Sequence, residues 1–249
     1  MKKSDTYRSY LASTDDWEPY LRRESSLPGP RGNLELAQVA AETGSLARFE
    51  AWLAADAAHP TADTPDMFLA FCAVVGLGCC IARNLSSGDE MNATELDLLW
   101  GVLRRYATDS RWRMREASAM ALQEIGAVSM DALYSGIETW RRGNWLEKRA
   151  VVAGLAEPRL LLTEQNILRS LGIIDEITTS ISIAGDRSGD DFRVLRQCLG
   201  YAWSVVVASS PTIGVPYMGH WLDSPDSDIR WIMKENLKKK RLEGIFTPG

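Results

Sequence analysis

A helical pattern that returns along the chain is the sequence feature that most constrains its fold. In each copy a basic residue is followed, seven positions later, by a large apolar one. The copies are Arg115 with Leu122, Lys148 with Leu155, Arg196 with Trp203, and Arg230 with Leu237, at steps of 33, 48 and 34 residues. Helical units that recur every few tens of residues are typical of stacked helix pairs, because one pair cannot bury its apolar face alone.

The clearest copy is the segment 109–126, with the sequence DSRWRMREASAMALQEIG. Its apolar and small residues recur at the three-and-four spacing of one helical face; they are Met114, Ala117, Ser118, Ala121, Leu122 and Ile125. Asp109 or Ser110 is predicted to cap the start of this helix, because either side chain can accept a backbone N–H. Gly126 is predicted to end the helix, since glycine adopts the left-handed conformation without steric cost.

Three arginines, Arg111, Arg113 and Arg115, crowd the first turns of this helix. Positive charge is unfavourable at a helix N-terminus, so these side chains need partners. The partners are either the nearby carboxylates of Asp109 and Glu116 or a molecule outside the chain. The sequence leaves both possibilities open.

The remaining chain is predicted to be helical throughout, because no stretch alternates apolar and polar residues between turn dipeptides. Two features interrupt this pattern. The segment 27–33, LPGPRGN, predicts a turn or an ordered loop, which is either a connector or a backbone segment that lines a site. The segment 86–90 predicts a surface turn.

The segments 109–126 and 224–242 resemble HEAT repeats of the armadillo-type α-solenoid superfamily. In that family an Asp opens the second helix of each pair, and an Arg one turn later ties adjacent repeats together. The resemblance implies an all-α fold, a right-handed α-α superhelix of antiparallel helix pairs. It divides the chain into degenerate repeats at 1–108 and HEAT-like repeats at 109–249, within one continuous solenoid.

Composition argues against several classes of protein. The formal net charge is −5, so the whole surface is not that of a nucleic-acid-binding protein. Four cysteines and two distant histidines lack the spacing of a zinc site, and buried reduced thiols are expected instead. We expect no metal and no cofactor. The apolar stretch 68–81 is too short to span a bilayer and no signal peptide is visible, so no membrane association and a cytoplasmic location are expected.

No catalytic motif is present, but aromatic and basic side chains occur together at several helix starts. Arginine beside an exposed aromatic ring suits hot-spot contacts with a protein, or stacking on nucleobases. Burial of the tryptophans in the core is the alternative. The candidate binding residues are Trp112, Arg113, Arg115, Trp145, Arg149, Arg230 and Lys234.

The segments 144–155 and 191–203 are also similar in layout to the HEAT-like bacterial alkylpurine DNA glycosylases. Those enzymes hold DNA in a concave basic groove, where tryptophans flank the lesion and an Asp stabilises the developing sugar cation. The family places that Asp one turn after a groove Trp. The nearest pair here is Trp112 with Glu116, which makes Glu116 the one catalytic candidate.

Two functions follow as hypotheses. The first is a non-enzymatic HEAT-repeat scaffold that binds a protein partner through a curved surface. The alternative is a DNA-binding protein related to the alkylpurine DNA glycosylases, acting in DNA alkylation repair.

Overall fold

A computed structural model describes residues 2–87 and 91–246. These residues form thirteen α-helices and no β-strand, which confirms the predicted all-α class. The helices are α1 (Lys3–Ala12), α2 (Glu18–Glu24), α3 (Leu34–Thr43), α4 (Leu46–Ala58), α5 (Pro65–Ser87), α6 (Ala93–Ala107), α7 (Trp112–Val128), α8 (Met130–Gly136), α9 (Trp145–Leu155), α10 (Glu164–Ser182), α11 (Asp190–Ser209), α12 (Pro211–Gly219) and α13 (Ser227–Leu237). Single 3-10 turns occupy Trp140–Arg142, Pro158–Leu160 and Lys240–Leu242. Residues 88–90 of the predicted turn at 86–90 lie outside the described residues.

The chain forms two compact units, Met1–Ser129 and Met130–Gly249. The resemblance predicts a division before residue 109, at the start of the repeated motif. In the structure α7 packs against α5 and lies in the first unit with it. The segment 109–126 is therefore part of the first compact unit.

In the first unit, alternate helices run parallel to one another. The backbone N–H of Ser4 on α1 donates to Glu35 near the start of α3, and Arg8 one turn later pairs with Glu42 near the end of α3. Helix α5 packs against α3, and α7 packs against α5, which continues this layer. Helices α4 and α6, which connect the members of the layer, also pack against α5. This arrangement buries α5 almost completely.

Two glycines allow α5 to be packed on opposite sides. A Cβ at Gly76 would lie 2.4 Å from the ring of Phe49 on α4, and a Cβ at Gly78 would lie 2.5 Å from the backbone of Ala121 on α7. A Gly-x-Gly pair inside an apolar helix predicts close helix packing, and these close approaches agree with it. Helix α5 is thus a central element whose two glycines face different neighbours.

Helix α5 is longer than the predicted apolar stretch of 68–81. It spans 23 residues, so by length and composition it could cross a membrane, but its most apolar window is 89% buried inside the protein. An apolar helix covered by its neighbours is also what the core of a helical protein requires.

In the second unit, three of the motif-bearing helices lie side by side. Trp145 near the start of α9 packs against Phe192 near the start of α11, with ring centroids 5.4 Å apart. Arg196 on α11 pairs with Asp228 at the start of α13, and the N–H of Ser204 donates to Asn236 two turns later. Because contacts join start to start and end to end, α11 and α13 run parallel.

Several helix ends differ from the predictions. Neither Asp109 nor Ser110 caps α7; its N-cap is Arg111, because the carboxylate of Asp109 is bound to the backbone N–H and guanidinium of Arg111. Gly126 does not end α7, which continues to Val128, since a buried glycine costs only about 1 kcal/mol in a packed helix.

The spacing of apolar residues and caps also predicts helices at 130–142 and 216–222, and a last helix that follows Asp226 and ends near Leu242. In the structure the first of these stops at Gly136, and a single 3-10 turn follows at 140–142. The second lies at 211–219, because Pro211 suits the first helical position. The last ends at Leu237, before a separate 3-10 turn at 240–242.

Candidate functional site

The first unit contains a preformed cleft of about 330 Å³. Its walls are the loop that precedes α3, the first turns of α5 and the first turns of α7. The lining residues are Leu27, Pro30, Arg31, Gly32, Leu34, Met67, Phe68, Phe71, Trp112, Arg113 and Glu116. We call this feature the α5–α7 cleft.

A buried arginine on α7 holds the loop that forms one wall. Arg113 is only 6% exposed, and its Nε donates to Asp63 Oδ1 at 2.7 Å. Its Nη2 donates to the carbonyl oxygen of Gly29 inside the loop. Asn33 closes the same loop from its other end by donating to the carbonyl of Glu24 at 2.9 Å. The proline- and glycine-rich loop is therefore an ordered wall.

The floor of the cleft is apolar and aromatic. Met67 and Phe68 are buried, and the rings of Phe68 and Phe71 are nearly parallel, with centroids 6.3 Å apart. Two large apolar side chains remain open at the rim, Leu34 at 49% and Trp112 at 52% exposure. An apolar cleft with half-exposed aromatic and aliphatic edges is typical of a binding site.

The polar groups of the cleft are few. The guanidinium of Arg113 stacks on Trp112, with Cζ 4.2 Å from the ring centroid. Glu116, one turn after Trp112, lines the cleft and is partly buried. Arg31 is exposed at the mouth. The structure thus brings together three of the predicted site residues, Trp112, Arg113 and Glu116.

Next to the cleft, Arg111 forms the centre of a buried ion-pair network. Its guanidinium donates to both carboxylate oxygens of Asp56, at 2.6 and 2.8 Å, and to Asp109 at 2.7 Å. Tyr106 donates its hydroxyl to Asp56 at 3.1 Å. Burial, together with the charge of Asp56, raises the pKa of Tyr106 to about 12. Burial alone would raise the pKa of Asp109, but the hydrogen bonds from Arg111 outweigh it and hold that pKa below its ordinary value.

Arg115 and Arg230 make the same contacts in the two units. Arg115 Nη1 donates to the carbonyl oxygens five and six positions upstream, at 2.8 and 2.7 Å. Arg230 Nη1 donates to the carbonyls five and six positions upstream, both at 2.7 Å. The shared sequence motif therefore corresponds to a shared local structure, in which the arginine fastens the loop before its own helix.

The candidate residues on α9 lie in a mainly packed environment. Trp145 is partly buried against Phe192, and Lys148 lies over its ring with Nζ 4.6 Å from the centroid. Lys148 also donates to Ser180 Oγ at 3.0 Å, and burial lowers its pKa below the ordinary lysine value. Arg149 is partly buried, and its carbonyl oxygen accepts from Cys198. Trp145 therefore fills the space between α9 and α11.

The last two candidates line a shallow groove in the second unit. Arg230 and Lys234 are exposed beside Trp231, in a depression of about 440 Å³. Leu222, Met233 and Leu237 form its apolar part.

The thiols are packing groups in this structure. All four cysteines are free, and three of them lie buried on α5. Burial raises the pKa of Cys79 to about 12, which disfavours the reactive thiolate. Within residues 2–87 and 91–246, no group of three or more His, Cys, Asp or Glu side chains could hold a metal ion.

The chain was compared with protein-family models, with curated proteins and with solved structures, and none of them matches it. The site itself therefore carries the functional argument.

The sequence does not single out the helical residues Leu34, Phe68 and Phe71 as part of a cleft. Nothing in their spacing distinguishes the lining of a cleft from the interior of a helical core. The signal that could have found them is the loop at 27–33, whose two prolines and two glycines favour an ordered wall.

Proposed function

We propose that this protein is a non-enzymatic helical-repeat binding module, and that its α5–α7 cleft receives a large apolar side chain from a segment of a protein partner. The observation that carries the proposal is the preformed apolar cleft with Trp112 and Leu34 half-exposed at its rim. Rigid aromatic anchors next to arginine dominate the energy of protein–protein contacts.

Charge favours a partner segment with basic residues beside the anchor. The first unit contains 13 basic and 18 acidic residues, so its net negative charge attracts basic segments. Glu116 adds a carboxylate to the cleft wall. A basic segment with one aromatic or long aliphatic side chain therefore matches both the lining and the surroundings.

The parallel packing of alternate helices supports a HEAT-like superhelix as the scaffold for this cleft. The matching contacts of Arg115 and Arg230 support it further, because repeats of one kind should reuse the same local bonds. We include this superhelical arrangement, and a cytoplasmic location that keeps the thiols reduced, in the proposal.

The DNA-repair alternative has less support at this cleft. A DNA groove needs cations that are available to phosphates. Arg113, the cation that stacks on Trp112, is buried and paired with Asp63. Trp112 and Glu116 do share one cleft, so the alternative remains open to the experiment below.

The test is selection of binders from a random peptide library on the full-length protein, followed by fluorescence anisotropy with the enriched peptides. We expect enriched peptides with an aromatic or aliphatic anchor near basic residues. Trp112→Ala should weaken their binding at least tenfold. The matched control is Leu98→Ala, which removes another exposed apolar side chain of the first unit, 65% exposed on α6.

Equal loss in both variants, or enriched peptides that bind Trp112→Ala normally, would contradict the assignment of the cleft. Glu116→Gln gives a further test, because it keeps the shape and removes the charge. We expect a smaller loss that diminishes at high salt. Preferential binding of duplex DNA containing an abasic site, lost in Trp112→Ala, would instead favour the DNA-repair alternative.

A further inference from the structure

The end of the second unit has a concentration of basic side chains that the proposed function does not use. Residues 230–243 contain six basic and two acidic residues, although the second unit as a whole has equal numbers of each. Five of the cations are exposed, and we call them the C-terminal basic patch: Arg230, Lys234, Lys238, Lys240 and Arg241.

Two arginines of the patch are held in place by neutral oxygens. Arg230 donates to the carbonyls of Ser224 and Pro225, and Arg241 Nη2 donates to the Tyr201 hydroxyl at 2.6 Å. These bonds orient each guanidinium without cancelling its charge. Elsewhere in this unit, Arg187 and Arg196 are paired with carboxylates of α13.

The lysines of the patch are also largely uncompensated. Lys238 pairs with Glu235, but its side chain is 56% exposed and such pairs contribute little in water. Among the residues that the structure describes, Lys234 and Lys240 form no ion pair with a carboxylate. Arg230 and Lys234 on α13 and Lys238 at its C-cap follow one another at intervals of four residues, a rise of about 6 Å each. This row of cations can follow a chain of phosphates.

Aromatic surface adjoins the cations. Tyr201 on α11 is 48% exposed, and the guanidinium of Arg241 lies 4.6 Å from its ring centroid. Trp231 lies between Arg230 and Lys234 in the shallow groove, together with the exposed Leu237. Arginine and aromatic rings beside a row of cations are the combination that binds single-stranded nucleic acid, because bases stack while phosphates pair.

We propose that the C-terminal basic patch binds single-stranded nucleic acid without marked sequence preference. The cations contact successive phosphates, and Tyr201 offers a ring on which a base stacks. This inference does not depend on the α5–α7 cleft, which lies in the other unit. A protein ligand at the cleft and a nucleic acid at the patch would therefore respond to different substitutions.

The experiment measures anisotropy of a short fluorescein-labelled mixed-sequence DNA strand, titrated with the full-length protein between about 50 and 200 mM salt. If four cations contact phosphates, log affinity should fall against log salt with a slope of about −3, or roughly 50-fold over this range. Lys234→Glu with Lys240→Glu should weaken binding at least tenfold and flatten the slope. Lys2→Glu with Lys3→Glu makes the same charge change on exposed residues of the first unit and should have little effect.

Two further variants separate stacking from charge. Tyr201→Leu should lower affinity about fivefold or more with the slope unchanged, whereas Tyr201→Phe keeps the ring and should retain most of the affinity. Circular dichroism and thermal unfolding verify that every variant is folded. Unchanged binding in the Lys234/Lys240 variant overturns the proposal. The proposal is also overturned if Tyr201→Leu binds the strand as tightly as wild type does and heparin binds as tightly as the strand. That result would indicate that charge alone accounts for the binding.

Discussion

Arg111 and Asp56, which are 55 positions apart in the chain, form a two-point ion pair with N–O distances of 2.6 and 2.8 Å. Both side chains are largely buried, at 12% and 6% exposure. The bond ties the end of α4 to the start of α7. The carboxylate of Asp56 also compensates the positive charge of Arg111, which is unfavourable at the N-terminus of α7 because of the helix dipole.

We expect Asp56→Ala to lower the free energy of unfolding by about 2–4 kcal/mol, because it leaves a buried guanidinium with one carboxylate fewer. Chemical denaturation monitored by circular dichroism measures the change. Glu42→Ala is the matched control, since it breaks the exposed pair with Arg8, at 40% and 51% exposure, and should cost less than about 1 kcal/mol. If both variants lost similar free energy of unfolding, burial would not account for the strength of the Arg111–Asp56 pair.

The two helix-packing glycines give a second prediction. Gly78→Ala should destabilise the first unit by about 1–3 kcal/mol, because the new methyl group would overlap the backbone of Ala121. Gly101→Ala on α6 is the control, because a Cβ there meets nothing within 4 Å. It should stabilise by up to about 1 kcal/mol through helix propensity. A stable Gly78→Ala protein would mean that α5 and α7 can separate at small cost.

Asp109 gives a prediction for acid pH. Its pKa is lower in the folded protein than in the unfolded chain, so its stabilising contribution is fully present above the unfolded value of 3.8. That contribution is lost as the pH falls through the folded value. Asp109→Asn should therefore be less stable than wild type at neutral pH, and the difference should narrow below 3.8. Asp97→Asn, which removes an exposed carboxylate from α6, is the matched control. If the stability difference between Asp109→Asn and wild type stayed constant with pH, ionisation of the Asp109 carboxylate would not be the cause of that difference.

Lys148 gives a prediction for alkaline pH, in which the charged form destabilises the folded protein. Burial lowers its pKa in the folded protein, so the unfolded chain binds the proton more tightly. The ammonium is therefore destabilising below the folded pKa, and this penalty disappears as the pH rises towards the unfolded value of 10.5. Lys148→Met should be at least as stable as wild type at pH 7, and its advantage should shrink with rising pH. Lys234→Met, which replaces an exposed lysine, is the matched control. If the stability of Lys148→Met relative to wild type increased with pH, the folded protein would raise the pKa of Lys148 and not lower it.

Much of the helical architecture could be predicted from sequence, because capping residues and apolar spacing are local signals. Asn33, Ser45 and Asn144 cap α3, α4 and α9 by accepting backbone N–H groups, as such residues usually do. The errors occurred where tertiary contacts compete with local preference. Asp109 binds Arg111 instead of capping α7, and Gly126 stays helical because it is packed in the core.

The candidate site could be predicted only in part. Trp112 and Glu116 are the pair that the resemblance to the DNA glycosylases implies, and both line the cleft. The partners of Arg113, by contrast, are Asp63 and the carbonyl of Gly29, 50 and 84 positions away. No pattern within one segment reveals such contacts, so the sequence leaves the partners of Arg113 open, and the structure shows that its guanidinium is buried and holds the loop.

That anchor has a consequence for how the cleft can change over evolution. One guanidinium holds the loop wall, stacks on the rim tryptophan and neutralises Asp63. A single substitution of Arg113 would therefore release the loop wall, remove the stacking contact with Trp112 and leave Asp63 without its ion-pair partner. Under the proposed binding function, changes in ligand preference should therefore accumulate at Leu34, Phe71 and Arg31, which line the same cleft and make none of these three contacts.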